Sequence, residues 1–449
     1  MSKKISTKKG VALWNKAKKL MPGGSQLLSK RSEMFLPEHW PSYYKKAKGV
    51  EVWDLDGNKF IDMTIMGVGS CILGYADKDV NNAVKKVIDD GSMNTLNAPE
   101  EVELAELLLK IHPWAEMVRY ARTGGESMAV AVRIARAHSG KDKIAFCGYH
   151  GWQDWYLASN LSDKKHLDGH LLPGLEPKGV PRGLKGSAIP FNYNRIDELE
   201  KIVKNNKDIG VIIVEPMRHQ KPEDNFLKKV KKIANRIGAV LVFDEITIAW
   251  RLNVGGAHLL FGVTPDIAVF AKAMSNGFPM AAIIGKKNVM QSAQDTFISS
   301  TYWTERVGPA AALATIKKIQ KEKAPLHIKK IGRMIWQGWE DLAGKHGLKI
   351  KVVGPEALVT FSFDYGNDLP DGKAGNQALR TLFTQEMLKR GFLASPSVYV
   401  SFAHREKHVK VYLKAIDEVF GLLKKTIDQK QIHKLLKGPI AHSDFKRLT

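Results

Sequence analysis

The amino-acid sequence predicts an α/β fold, with a large domain built on a mostly parallel sheet flanked by helices and a smaller α+β domain beside it. Three observations predict it. Between about residues 115 and 290, short β-branched runs alternate with helical stretches, which is the pattern of βαβ units. At 449 residues the chain has the length of two or three structural units, taking roughly 100 to 200 residues for each. Apolar residues make up 44% and charged ones 26%, close to ordinary globular usage, which excludes a largely disordered chain.

From the N-terminus, residues 8 to 20 (KKGVALWNKAKKL) place apolar side chains at helical spacing until Pro22-Gly23-Gly24 stops the pattern, so a short helix is expected. The segment GVEVWDLDGNKFIDM, from Gly49, alternates apolar and polar residues around Asp56-Gly57 and predicts a β-hairpin. Val80 to Ile88 and Glu101 to Ile111 predict amphipathic helices. The runs Lys143 to Phe146, Gly210 to Val214, Ala239 to Phe243 and Ile267 to Phe270 predict buried strands, with helices over Met128 to His138 and Phe226 to Ile237 between them. Ligands of such sheets bind at the carboxyl ends of the strands, so the residues just after these runs are where chemistry is expected. The stretch from about Ser159 to Pro190, rich in Gly, Pro and Lys, predicts a long loop of the lid or interface kind.

After about residue 309 the pattern changes to helices over 309–322, 326–345, 376–390 and 405–425, with strand-like Ile350 to Val353 and Ala357 to Phe363 among them. The expected organisation is an N-terminal segment (1–55) that joins the small domain, a large domain (56–308), a small C-terminal domain (309–436) and a surface tail (437–449). No internal repeat or low-complexity segment interrupts it.

The charge is the unusual quantity. Lys and Arg total 69 against 46 Asp and Glu, a net charge of +23. The excess is carried by 53 lysines against 16 arginines, which points to a solvated surface more than to bidentate recognition of phosphates or bases. Nucleic acid, an anionic membrane face and an acidic substrate remain open as partners on charge alone. Cys71 and Cys147, the two cysteines, lie in neither a C-x-x-C nor a zinc spacing, so neither a disulfide framework nor a cysteine metal site is expected. The basic stretch Met1 to Gly10 is followed by no apolar signal core, and no later apolar run has the length of a membrane span, so a cytoplasmic protein is expected.

Four places could carry chemistry. Lys272, in DIAVFAKAMSNGFPMAAIIG, follows a buried run; a surface position is the ordinary reading of any one lysine, but desolvation at a strand end makes an amine a usable nucleophile. Asp244 ends the run VLVFD, and 28 residues separate it from Lys272, about one crossover plus a strand; it is either a cap or a partner of that lysine. A carboxylate facing a lysine-bound aromatic nitrogen is the pairing used in pyridoxal phosphate chemistry. Thr123-Gly124-Gly125 opens a helix, as an ordinary N-cap or as a phosphate site made of backbone N–H groups. Tyr149 and His150 follow the strand from Lys143, where the tyrosine either fills the core or stacks on a flat cofactor, and His150 reads as a hydrogen-bonded structural residue. No metal site is expected.

Taken together, these segments resemble the class III aminotransferases, fold-type-I pyridoxal 5′-phosphate enzymes, and most closely their glutamate-1-semialdehyde 2,1-aminomutase branch. The resemblance runs from about Asn15 to Lys425 through KKLMPGG, EVWDLDGNKFIDM, ILGYAD, APEEVELAELL, RTGGESMAVAVRIAR, GYHGW, VEP, VFDEI, GGAHLLFGVTPDI, FAKAMSNGFP and SFAH. It implies that Lys272 forms the internal aldimine and shuttles the proton, and that Asp244 keeps the ring nitrogen protonated. It places Ile246 and Tyr149 on the two ring faces, Thr123, Gly124 and Gly125 at the phosphate, and Glu215 and Gln220 among the cofactor contacts. Thr301 lines up with the threonine that reaches the phosphate from a neighbouring subunit, which implies a homodimer with composite sites. The phosphate loop here keeps its backbone donors but lacks a second hydroxyl, because Gly125 stands where the family has threonine.

The departures lie on the substrate side. SQLLSKR replaces the aminomutases' Asn-Ser-Pro-Val-Arg-like segment, Thr64 to Gly69 has no tryptophan, and LASPSVYVSFAH carries no acid. The expectation is therefore an aminotransferase that moves an amino group from an amino acid donor to a keto or aldehyde acceptor, with the aminomutase as the alternative. A basic nucleic-acid-binding protein on a degenerate enzyme fold is the reading from another class. An anionic substrate needs a cation, for which Lys30, Arg31, Arg218 and Arg306 are the candidates.

Overall fold

The computed structural model describes residues 5–366, 368–369 and 372–448. The first four residues of the basic N-terminal stretch and Thr449 of the expected tail lie outside them. The chain divides into two compact units, one of Met1–Asp77 with His327–Thr449 and one of Lys78–Leu326.

In the first unit, helix α1 (Lys8–Leu20) is followed by strands β1 (Tyr44–Lys48), β2 (Glu51–Asp54) and β3 (Lys59–Met63). β2 and β3 form the predicted antiparallel hairpin. Gly57 takes the left-handed conformation its turn requires, at φ 84°, and Asp54 Oδ1 closes the turn by accepting the Asn58 N–H at 2.8 Å.

The middle unit carries helices α2 (Lys78–Asp89) and α3 (Pro99–Ile111), strand β4 (Met117–Ala121) and helix α4 (Gly124–Ser139). Strands β5 (Lys143–Cys147), β6 (Ala188–Pro190), β7 (Ile209–Val214), β8 (Val240–Asp244), β9 (Ile267–Phe270) and β10 (Ala281–Gly285) follow. They form one seven-stranded sheet in the order β4-β10-β9-β8-β7-β5-β6. Pairings β5–β6, β5–β7, β7–β8 and β8–β9 are parallel, and β10 runs antiparallel to both neighbours. The long loop predicted from 159 to 190 ends in the edge strand β6, where Pro190 is tolerated.

Alternation along the strands sorts their side chains into two cores. Ile144 and Phe146, Val211 and Ile213, and Val240 and Val242 face α4 and pack with Met128, Ala131 and Ile134. Ala145 and Cys147, Ile212 and Val214, and Leu241 and Phe243 pack on the other side with Leu199, Phe226, Val230 and Ile233, from helices Ile196–Asn205 and Phe226–Ile237. Burial on both faces explains the uninterrupted apolar runs. Each buried Val, Leu, Ile, Phe or Met side chain contributes about 1.5–3 kcal/mol relative to exposure.

Strands β11 (Ile350–Val353), β12 (Leu358–Phe363), β13 (Phe392–Ala394) and β14 (Ser397–Tyr399) complete the first unit. β13 pairs parallel with β3, and β11-β12-β14 form a separate antiparallel sheet. Among the described residues no helix or strand follows Leu435, but the backbone there is pinned: Ala441 N–H donates to Thr381 Oγ1 at 3.0 Å and His442 N–H to Glu33 O at 2.7 Å. Among the described residues no helix is long and apolar enough to cross a membrane.

Candidate active site

The carboxyl ends of β4, β5, β7, β8 and β9 supply one set of polar side chains. Lys272 follows β9 by two residues and opens a short 3-10 turn, Lys272–Ser275. Its φ of 47° is a left-handed conformation that a non-glycine residue adopts at a cost. The half-buried side chain donates from Nζ to Thr247 Oγ1 at 2.9 Å. Loss of hydration, aided by the Arg218 cation, lowers the basicity of this amine to a pKa of about 8, against the opposing pull of Asp244 and Glu215.

Asp244 is the last residue of β8, beside β9 in the sheet. Its carboxylate is buried and held at both oxygens. His150 Nδ1–H donates to Oδ2 at 2.8 Å and the Ile246 N–H to Oδ1 at 3.1 Å. His150 is itself buried, stacked 6.3 Å from Trp155 and edge-on to Phe146. Its Nε2 is buried without a hydrogen-bond partner.

Tyr149 is anchored through its backbone, whose N–H donates to Glu215 Oε2 at 3.0 Å. The Arg218 guanidinium lies 5.7 Å from the Tyr149 ring centroid and 3.5 Å from Glu215 Oε2. Gly148, at φ 121°, admits Glu215 to this position, because a Cβ there would sit 2.6 Å from Oε2.

Helix α4 starts three residues after β4, with Thr123 as its extended N-cap. Glu126 turns back and its Oε2 accepts the N–H groups of Arg122, at 2.9 Å, and Thr123, at 3.1 Å. The N–H groups of Gly124 and Gly125 fall in the first turn, which has no intrahelical acceptor. The Ile246 side chain packs on Gly124, with Cδ1 3.2 Å from where a Cβ would stand. Thr123, Gly124, Gly125, Tyr149, Glu215, Asp244, Ile246 and Lys272 thus follow strand ends of one sheet within one unit.

The other candidates lie differently. Thr301 is exposed and opens a 3-10 turn, Thr301–Thr304. Arg122 holds the end of that segment, donating to the carbonyls of Trp303 and Glu305 at 2.9 Å each. Gln220 is exposed in the loop after β7. Arg306 is committed to Glu100 in a two-pronged pair at 2.7 and 3.1 Å. Lys30 and Arg31 belong to the other unit, Lys30 exposed and Arg31 donating to the Lys446 carbonyl at 3.2 Å. The Arg218 cation is among the charges that act on Lys272. Sequence reasoning missed Thr247 as the partner of Lys272 and His150 as the partner of Asp244. The first had a faint signal in its place three residues past a strand-end aspartate, and the second had none.

These residues fit the pyridoxal phosphate that the resemblance implies. An amine of lowered basicity, a carboxylate held by two N–H donors, an aromatic and an aliphatic side chain, and a helix N-terminus with unclaimed N–H groups are what such a group needs.

Comparison with known proteins agrees. Residues 36–367 match the family described as "Aminotransferase class-III". The chain is 31% identical to a 3-aminobutyryl-CoA aminotransferase of Cloacimonas acidaminovorans, over 95% of this chain and 100% of that one. It is 32% identical to a glutamate-1-semialdehyde 2,1-aminomutase of Nitrosopumilus maritimus, over 90% and 96%. Its fold superimposes with a TM-score of 0.84 on the PLP internal aldimine form of the FumI protein of Sphingopyxis sp. MTA144, at 23% identity over 96% of this chain and 100% of that one.

Proposed function

Because the chain belongs to the class III aminotransferases, whose cofactor is pyridoxal 5′-phosphate, we propose that it moves an amino group from an amino acid donor to a keto or aldehyde acceptor, with Lys272 as the catalytic amine and Asp244 as its partner at the ring. The observation that carries the residue assignment is the Lys272 amine. It is desolvated, bonded to Thr247 and acted on by the Asp244 carboxylate from the adjacent strand end.

The bound cofactor supplies an electron sink for the charge left when a substrate carbon loses its proton. Lys272 Nζ would hold the cofactor covalently and, as a free amine, would take and return the substrate proton. Thr247 Oγ1 accepts from Nζ in the released state and keeps the amine in place. Asp244, fixed by His150 and the Ile246 amide, keeps a proton on the ring nitrogen. Tyr149 and Ile246 would hold the two faces of the ring, and Glu215 fixes the Tyr149 backbone. Gly124 and Gly125 would donate backbone N–H groups to the phosphate beside Thr123, and Gln220, in the loop after β7, would serve the ring hydroxyl. Arg218 is the cation for an anionic substrate, because its charge is among those that act on Lys272. Lys30 remains the fourth candidate.

We further propose a cytoplasmic homodimer in which Thr301 reaches the partner subunit's phosphate. The exposure of Thr301 supports that reading. Division of the chain into a unit of its two ends and a unit of its middle supports a small domain joining residues 1–55 to 309–436.

Borohydride treatment of the loaded enzyme should fix the cofactor on Lys272, read by peptide mass, and a panel of amino donors with keto and aldehyde acceptors should give turnover. Label on another lysine would remove the assignment. The aminomutase is the second reading, favoured by relatives of that name. Isomerisation of glutamate-1-semialdehyde with no transfer to any acceptor would establish it instead.

A further inference from the structure

Gly125 raises a question that its backbone does not answer. It is the second residue of α4 and is absent from the residues with positive φ, so any L-residue could take its conformation. What excludes a side chain is Gln153. A Cβ on Gly125 would stand 2.6 Å from both Nε2 and Oε1 of Gln153, and one on Gly151 would stand 2.6 Å from Oε1 and 2.9 Å from the Gly125 Cα. The Gln153 amide therefore lies against the first turn of α4, in the space that a side chain at position 125 would use.

Its orientation is set. Oε1 accepts the Trp152 N–H at 3.1 Å, which leaves the two hydrogens of Nε2 as donors next to the N–H groups of Gly124 and Gly125. Glu126 has already taken the N–H groups of Arg122 and Thr123. Donors gathered at the positive end of a 16-residue helix suit an oxyanion. We infer that Gln153 is a phosphate-binding residue of the cofactor site, its Nε2 donating where a hydroxyl on residue 125 otherwise would. The inference rests on the proposed placement of the cofactor phosphate at α4.

The test compares equilibrium binding of pyridoxal 5′-phosphate and of phosphate-free pyridoxal to the cofactor-free enzyme, followed by absorbance. Gln153→Ala should weaken the phosphorylated ligand by about tenfold or more, the loss of one hydrogen bond to a charged group, and leave pyridoxal binding unchanged. Gln153→Glu, nearly the same shape, should weaken it further and again spare pyridoxal. With the glutamine gone, Gly125→Thr has room, so the double variant Gly125→Thr/Gln153→Ala should recover affinity for the phosphorylated ligand. Unchanged affinity in Gln153→Ala and Gln153→Glu, or equal loss for both ligands, would overturn the inference. Wild-type enzyme that binds pyridoxal and its phosphate equally tightly would instead overturn the placement of the phosphate at α4.

Discussion

Lys272 shows how one amine among 53 becomes chemically distinct. Its charge is costly where it sits, and Arg218 adds to the cost. In the cofactor-free enzyme Lys272 should react with an amine-directed reagent along a titration centred near pH 8, with about one amine in ten uncharged at pH 7. Peptide mass spectrometry across pH reads this directly, and a midpoint above 10 would show that the site does not desolvate the amine. In Arg218→Leu the midpoint should rise, because the like charge that opposes protonation has gone. The same variant tests the substrate cation. KM for an anionic donor should increase about tenfold, one charge-assisted hydrogen bond, while an uncharged amine donor is spared. Lys272 and Asp244 were legible in the sequence because each follows an apolar run that ends abruptly in a charge. Thr247 and Gln153 were not, because a hydroxyl or amide gains its role only from what the fold sets beside it.

At the scale of elements, the ends of β8 and β9 are held by buried polar groups as much as by apolar packing. Glu245, one residue past the end of β8 and fully buried, accepts the Ala257 N–H at 2.9 Å, the His258 N–H at 2.8 Å and His258 Nδ1–H at 2.8 Å. His258 Nε2 in turn accepts from Trp114 Nε1–H at 2.9 Å. This carboxylate ties the segment 256–258 to the strand that carries Asp244. Glu245→Ala leaves three buried donors unpaired and should cost on the order of 3 kcal/mol, seen as a lower midpoint in denaturant. Glu245→Gln, which keeps an acceptor, should lose less. A midpoint unchanged in Glu245→Ala would mean that water replaces the carboxylate. The central strands were legible because burial on both faces leaves an apolar run. β4 (MVRYA) was not, since its half-buried side chains break such a run. β10 was not predicted although Asn276-Gly277-Phe278-Pro279 sets a turn before AAIIG, because so short a run is a strand only through its pairing with β4 and β9. The antiparallel course of β10 is likewise a matter of pairing, which side-chain alternation does not encode.

For the molecule as a whole, the net charge of +23 has few structural uses. Many of its lysines sit in exposed pairs such as Lys86 with Asp90 or Lys349 with Asp368, which contribute little individually. The proposed homodimer predicts a sedimenting mass of about 100 kDa, twice the 50.0 kDa chain. A monomer with full turnover would remove the shared site at Thr301. Retention on nucleic acid, if any, should vanish by about 0.2 M salt without loss of turnover, as expected of charge alone.

The sequence by itself determined the family, the cofactor and the α/β class, because each depends on residues whose local context carries the signal: apolar runs, a helix-opening glycine pair, a charge at a strand end. Only the tertiary structure decided which side chains face one another. It gave Lys272 its threonine, Asp244 its histidine and Gly125 its glutamine, and it put the Arg218 charge among those that act on Lys272. The reason is that hydrogen bonds and desolvation act over a few ångströms in space, and segments tens of residues apart reach that distance only when the sheet has brought their ends together.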